Sequence, residues 1–142
     1  MLVLVDEDEF AGLAINLIDE EQNRALLDYY AIAPEKRNRW LWEAKVWKCF
    51  WSALKIINIF LRLKQQNEKA ENAEERKRRK AFYLRNGLKE TGLFVNVYDT
   101  DFELLTPDGE LTFWEYVDFL REVMYEEYVE ILRPTLIAMK KK

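Results

Sequence analysis

The sequence predicts an α/β protein built on a mixed, mainly antiparallel sheet that is flanked by helices. Three strand-like segments come first, at 2–5, 10–18 and 25–32. The acidic stretches 6–9 and 19–23 separate them, which is typical of antiparallel neighbours joined by turns. Helical and strand patterns then alternate along the chain, so helices are expected beside the sheet.

Two helices and a further strand are predicted in the middle of the chain. Residues 40–54 have helical character, and the β-branched, partly alternating stretch 55–63 is typical of a strand. A second helix is expected over 73–86, after a polar stretch. Gly87 fits the left-handed position that commonly ends a helix.

A last pair of strands is predicted at 91–98 and 101–105, with a turn at Asp99-Thr100. The sequence Pro107-Asp108-Gly109 is a second turn signal, because proline presets one backbone angle and glycine accepts a positive φ.

The final helix has a clear start and the tail after it does not. Thr112, with Glu115 three residues later, forms a capping box and predicts a helix that runs to about Tyr125. The tail at 126–139 is interrupted by Pro134 and matches no single element.

Composition limits the classes of function. A length of 142 residues predicts one domain, 1–142, and the net charge of −4 argues against nucleic-acid binding. The chain has no histidine and one cysteine, Cys49, so we expect no metal site and no internal disulfide. The apolar runs are too short for a membrane span or a signal peptide, which predicts a cytoplasmic protein without a membrane partner.

Two segments carry a resemblance to a known family. The stretch from Leu26 to Trp42 passes from an apolar strand through a Pro-Glu turn to Arg37-Asn38-Arg39-Trp40-Leu41-Trp42, and the stretch from Arg78 to Gly87 reads RRKAFYLRNG. These resemble the GNAT superfamily of acetyl-CoA-dependent N-acetyltransferases, over about residues 3–106. The resemblance implies a GNAT-like fold that starts after the family's N-terminal helices.

The family's phosphate-binding loop is altered here. That loop reads Arg/Gln-x-x-Gly-x-Gly/Ala and opens the helix that holds the pyrophosphate of coenzyme A. Both glycine positions are tryptophan, Trp40 and Trp42. Glycine lets the backbone approach a phosphate closely, so an indole there would fill the space of the ligand. We therefore expect no cofactor, and Arg37 and Arg39 become remnants of the motif.

The alternative is a working acetyl-CoA-dependent N-acetyltransferase that acts on a small amine or a protein amine. The resemblance implies Tyr83 as its general acid, while a base would have to be Asp28 or a water near it. A tyrosine packed against the sheet is the plain structural interpretation of Tyr83.

The helix at 40–54 is apolar on more than one side. At about 100° per residue its apolar side chains divide into two arcs. One arc, expected on the sheet, contains Trp42, Val46, Cys49, Phe50 and Ala53. The other contains Trp40, Ala44, Trp47, Trp51 and Leu54. The second arc predicts an exposed aromatic surface that binds a protein partner or a second copy of the chain. The alternative is that it fills the vacated cofactor cleft or covers surface left by missing helices.

Residues 72–98 keep the family pattern, whereas residues 40–54 abandon it, and this contrast leads to the main hypothesis. It is a non-catalytic, engineered GNAT scaffold whose tryptophan-rich helix serves recognition. Trp40-Leu41-Trp42-Glu43-Ala44-Lys45 also resembles the Trp-Leu-Trp-x-x-Lys run in the membrane-proximal helix of the HIV envelope protein. That run is a target of neutralising antibodies, so an epitope-type graft and an antibody partner are included in the hypothesis.

Overall fold

The chain divides into two units, Met1–Ile59 and Phe60–Lys142. The computed structural model describes residues 2–36, 40–54 and 58–140, without the side chains at positions 2, 6, 29, 40–42, 53 and 54. The prediction of a single domain over 1–142 stays a prediction.

The first unit begins with a three-stranded antiparallel sheet. Its strands are β1 (Leu2–Asp6), β2 (Glu9–Asp19) and β3 (Arg24–Ile32), with β2 paired to both others. The β1–β2 turn places Glu7 and Asp8 at φ 50° and 65°, the left-handed backbone that tight hairpins use. The three predicted strands are confirmed.

A short 3₁₀ turn and helix α1 complete this unit. The 3₁₀ turn spans Pro34–Lys36, and α1 spans Trp40–Leu54, as predicted. Residues 55–57 lie outside the described part of the chain. Strand β4 (Asn58–Lys64) then runs from this unit into the second, so the predicted strand is confirmed from residue 58 onward.

The second unit contains three helices and an antiparallel sheet in the order β4-β6-β5-β7. Its other elements are α2 (Ala73–Arg85), β5 (Lys89–Val97), β6 (Thr100–Thr106), α3 (Phe113–Val123), α4 (Glu126–Leu132) and β7 (Thr135–Met139). The β5–β6 turn uses Tyr98 and Asp99 at positive φ. The predicted helices and strand pair are confirmed within a few residues at each end.

The local signals of the sequence are present as expected. The Thr112 hydroxyl accepts from the Glu115 N–H at 3.2 Å, and the Glu115 carboxylate accepts from the Thr112 N–H at 3.5 Å. Gly87 follows α2 at φ 102°. These contacts satisfy N–H groups that a helix leaves unpaired in its first turn.

The sequence did not predict the secondary structure of the tail at 126–139. It forms α4, ends that helix at Arg133 with φ 46°, and continues after Pro134 into β7, which pairs with β5. Leu136, Ile137 and Met139 on β7 are all exposed. A strand whose side chains lack a buried face shows no alternation, so only its pairing with β5 identifies it.

The fold class is confirmed. Each strand pairing described within either unit is antiparallel, and helices occur in both units. None of the helices in the described ranges has the length and apolar character that a bilayer crossing needs.

Candidate active site

Helix α1 opens where the resemblance places a phosphate loop. Arg37 and Arg39 lie outside the described residues, as do the side chains of Trp40 and Trp42. Lys36, just before them, is buried, and its ammonium lies 3.3 Å from the Glu9 carboxylate. This basic side chain is therefore paired within its own unit.

The side chains of α1 pack on one broad face. Trp47 and Phe50 are 1% and 2% exposed, and Ala44, Val46 and Trp51 are half-buried. The opposite side carries Lys45, Lys48, Cys49 and Ser52, all exposed. At about 100° per residue the covered positions span an arc of about 160°.

An aromatic cluster holds this face. The Trp47 ring lies 5.1 Å from the Tyr30 ring of β3, edge to face, and 5.7 Å from Phe50. Trp51 packs 5.6 Å from Trp47. Offset and edge contacts at these distances are the favourable arrangements for aromatic rings.

The exposed tryptophan stripe is therefore a wrong prediction for Trp47, which is a core residue, and Trp51 is half-buried against it. Ala44 is also half-buried, and the Leu54 side chain lies outside the described residues. Cys49, assigned to the sheet-facing arc, is exposed. The error was to split the apolar residues into two arcs, because Trp47 and Phe50 are only about 60° apart on the helix.

Glu43 lies between the two arcs, because its helical position falls between Phe50 of the first arc and Trp47 of the second. Its side chain is half-buried in the first turn of α1. A carboxylate in that turn takes the favourable interaction with the positive end of the helix and repels a second anion.

Tyr83 is the candidate proton donor. It lies on α2, is 3% exposed, and packs 5.5 Å from the Phe82 ring. Burial raises the pKa of the Tyr83 hydroxyl to about 12, against the opposing charge of Arg79. A group with this pKa is protonated at neutral pH and can donate a proton.

The chain that follows Tyr83 is held in place. The Asn86 amide donates to the Phe82 carbonyl at 2.8 Å, and the Leu88 N–H donates to the Tyr83 carbonyl at 3.1 Å. Gly87 provides the positive φ that this reversal needs. The RNG sequence thus ends the helix and fixes the last turn that carries Tyr83.

An ion-pair cluster lies one turn before Tyr83, and the sequence did not predict it. The Lys80 ammonium is 2.9 Å from carboxylate oxygens of both Glu90 on β5 and Glu103 on β6. Burial lowers the pKa of Lys80, but the hydrogen bonds to the two glutamates outweigh it, and the net pKa is raised. The cluster binds α2 to the sheet. Its glutamates lie on other elements, so no local spacing in the sequence indicated it.

A polar cleft of about 340 Å³ lies in the second unit, beside the start of α2. Arg76 lines it and donates to the Gln65 carbonyl at 2.9 Å, while the Gln66 amide donates to the Arg76 carbonyl at 3.3 Å. Asp99 and Asp101 line it as well. Mixed charges and internal hydrogen bonds leave this cleft without a preference for one ligand class. Within the described ranges, no group of three potential metal-ligand side chains comes together.

Solved structures share this fold. The chain is similar to the ribosomal-protein-S18-alanine N-acetyltransferase of Escherichia coli, with a TM-score of 0.53 and 19% identity over 78% of this chain and 68% of that one. It is similar to the spermidine N-acetyltransferase of Vibrio cholerae in complex with CoA and spermine, with a TM-score of 0.52 and 18% identity over 73% and 62%. The aminoglycoside 6'-N-acetyltransferase of Enterococcus faecium has a TM-score of 0.50 and 16% identity, over 73% and 69%.

These likenesses show the fold alone. No family model matches the chain, and no curated protein matches it. The chain spans less than two thirds of the spermidine N-acetyltransferase. Its architecture is a mixed α/β fold with a mainly antiparallel sheet. More narrowly, it is the fold of the GNAT N-acetyltransferases, as the resemblance predicted.

Proposed function

We propose that the chain is an N-acetyltransferase domain of the GNAT type, which takes acetyl groups from acetyl-CoA and passes them to an amine. The observation that carries the proposal is the buried, protonated Tyr83 on α2, in a fold shared with three N-acetyltransferases. Their names give an alanine of ribosomal protein S18, spermidine and an aminoglycoside as the groups acetylated on nitrogen, so an amine is the acceptor class they have in common.

The described residues suit only one end of the cofactor. Tyr83 provides a proton donor for the thiol end. The pyrophosphate end does not fit, because Glu43 adds a half-buried carboxylate to the first turn of α1 and tryptophan stands at both glycine positions. We therefore derive no catalytic step through acetyl-CoA and expect the chain to bind it weakly.

The test is acetyl transfer by the chain at millimolar acetyl-CoA, with release of the free thiol as the signal. Spermidine, an alanine-terminated peptide and an aminoglycoside serve as acceptors. We expect slow transfer to at least one of them, and Tyr83→Phe should reduce kcat by about 10²-fold, the usual contribution of a general acid. The circular dichroism of that variant should be unchanged. No transfer, together with no thermal stabilisation by millimolar coenzyme A, would retire the proposal.

Recognition through α1 remains a second proposal, with an antibody, another protein or a second copy of the chain as the partner. An engineered origin and a cytoplasmic location also remain proposals. Burial of Trp47 removes one of the five residues that the recognition hypothesis placed on the binding surface. Light scattering checks self-association directly: a mass above 17.1 kDa that falls when Trp51→Ala is introduced would support it.

A further inference from the structure

The misfit at the pyrophosphate end is confined to one stretch of the chain. Four of the five tryptophans and the only cysteine fall within 40–51. In the structure the Trp51 indole nitrogen of this stretch is buried without a hydrogen-bond partner in the described residues, which opposes folding. Glu43 is half-buried on the covered side of the same helix, where its carboxylate loses part of its hydration.

The genetic code relates this stretch to a glycine loop. Tryptophan has a single codon, UGG. Read from its second nucleotide, it starts with GG, and every codon that starts with GG specifies glycine. Trp40-Leu41-Trp42 therefore reads glycine-x-glycine in that frame, whichever leucine codon is used. The middle codon has the form UNU, which specifies phenylalanine, serine, tyrosine or cysteine.

A displacement by one further nucleotide turns the remainder of α1 into an ordinary amphipathic helix. Read from the third nucleotide of each codon, Trp42 again yields glycine, Trp47 yields glutamate and Phe50 yields leucine. Each of these three results is forced by the neighbouring codons. Position 46 becomes leucine, methionine or valine, and position 49 becomes leucine or phenylalanine. Apolar residues at 46, 49 and 50 with a charge at 47 form the single stripe that α1 lacks.

We propose that residues 40–54 are translated out of frame from a segment that encodes a phosphate-binding loop and its helix. One extra nucleotide before codon 40 and a second within codon 42 produce the observed residues. The frame returns between codon 55 and Ala73, where α2 begins. The in-frame segment reads Arg-Asn-Arg-Gly-x-Gly, followed by serine or glycine, at the start of α1.

This reading explains why the misfit is local. Arg37 to Arg39, and α2 with Tyr83, lie on either side of the displaced stretch and keep their residues. Glycine at positions 40 and 42 allows the backbone N–H groups of the first turn to approach a phosphate. The identity of that ligand as the pyrophosphate of coenzyme A rests on the proposed function, whereas the displaced frame does not.

The coding sequence tests the displaced frame directly. Codons 34–73 would be sequenced in the gene and in its transcript. We expect the frame read from the third nucleotide to be open through codon 54. An Ala44 codon that ends in U, or a Leu54 codon that ends in U, would create UAA with the following lysine codon and would overturn the proposal.

Two variants of the full chain test the consequence. The first combines Trp40→Gly, Leu41→Tyr and Trp42→Gly with the displaced reading Ser-Lys-Ser-Leu-Glu-Met-Leu-Leu-Glu-Arg-Phe-Lys at positions 43–54. The matched control has the same residues at 43–54 but keeps Trp40, Leu41 and Trp42. Thermal unfolding and calorimetric titration with coenzyme A are measured for both variants and for the starting chain.

We expect both variants to melt at a higher temperature than the starting chain. Their apolar positions 46, 49, 50 and 53 form one stripe about 90° around the helix from the face that is now buried, so the helix turns onto that stripe and the charge at position 47 faces solvent. Coenzyme A should bind at least about tenfold more tightly to the glycine variant than to its control, the effect of one good charge-assisted hydrogen bond. If neither variant is more stable than the starting chain, the frame proposal fails. If both are more stable and the frame is open, but coenzyme A binds to neither, the frame proposal stands and the proposed function fails.

Discussion

Helices α1 and α3 differ in how much of their structure local sequence determines. In α3, Thr112 and Glu115 cap the first turn. The buried side is one stripe of Tyr116, Val117, Phe119 and Leu120. In α1 no described cap marks the start, and apolar residues occur around most of the helix. The bounds of both helices were predicted, and the predicted faces of α1 were wrong at Trp47 and Cys49.

The comparison shows that helix formation and helix orientation depend on different signals. Backbone hydrogen bonding and side-chain propensity decide where a helix forms, and both helices satisfy them. Orientation depends on the difference in hydrophobicity between faces, which is small when apolar residues occupy positions around most of a helix. In α1 the neighbouring Tyr30 selects the face by packing against Trp47 and Phe50.

The largest expected effect comes from the residue on which the two interpretations of α1 disagree. Trp47→Ala should lower the free energy of unfolding by about 3–5 kcal/mol, because it empties a buried indole site between Tyr30 and Phe50. Chemical denaturation followed by circular dichroism measures this change.

Trp114→Ala in α3 is the matched control, because the Trp114 side chain is 66% exposed. Its effect should stay within about 0.5 kcal/mol. Equal effects of the two substitutions would mean that Trp47 is not a core residue and would return α1 to the role of an exposed recognition surface.

A smaller effect is expected where α2 is held by charge. Glu103→Gln should destabilise the chain by about 1–3 kcal/mol, since the Glu103 carboxylate is buried and bonded to Lys80. The pKa of Lys80 is raised on folding. Its contribution is therefore fully present below the unfolded pKa of 10.5 and is lost as pH rises through the higher folded value.

The pH dependence separates this ion pair from simple packing. Unfolding free energies measured between neutral pH and the region above 10.5 should fall more steeply in the parent chain than in Glu103→Gln. Parallel curves would show that Lys80 does not depend on Glu103 for its charge stabilisation.

The smallest expected effect concerns the cap of α3. Thr112→Ala should cost about 1 kcal/mol, because it removes the acceptor for the Glu115 N–H. Thr112→Ser keeps the hydroxyl and should recover most of the loss. A null result for alanine would mean that α3, like α1, depends on packing rather than on its local signals.

Much of the candidate site was predictable in outline. The bounds of α2, its glycine stop and the position of Tyr83 follow from the RRKAFYLRNG segment, because a helix end is a local event. The Lys80 cluster was not predictable, since its partners Glu90 and Glu103 lie on other elements. Strand β7 was missed for the same reason: its definition is the backbone pairing with β5.

By itself the sequence determined the order of strands and helices, the hairpin turns and the capping box. Each depends on residues within a few positions of one another, where sterics and backbone hydrogen bonds act without the rest of the chain. Tertiary structure alone decided that Trp47 is core, that Tyr83 is buried with a pKa near 12, and that Lys80 is shared by two glutamates. Those outcomes depend on which distant side chains exclude water from a position, because desolvation and charge pairing arise only between surfaces that folding brings together.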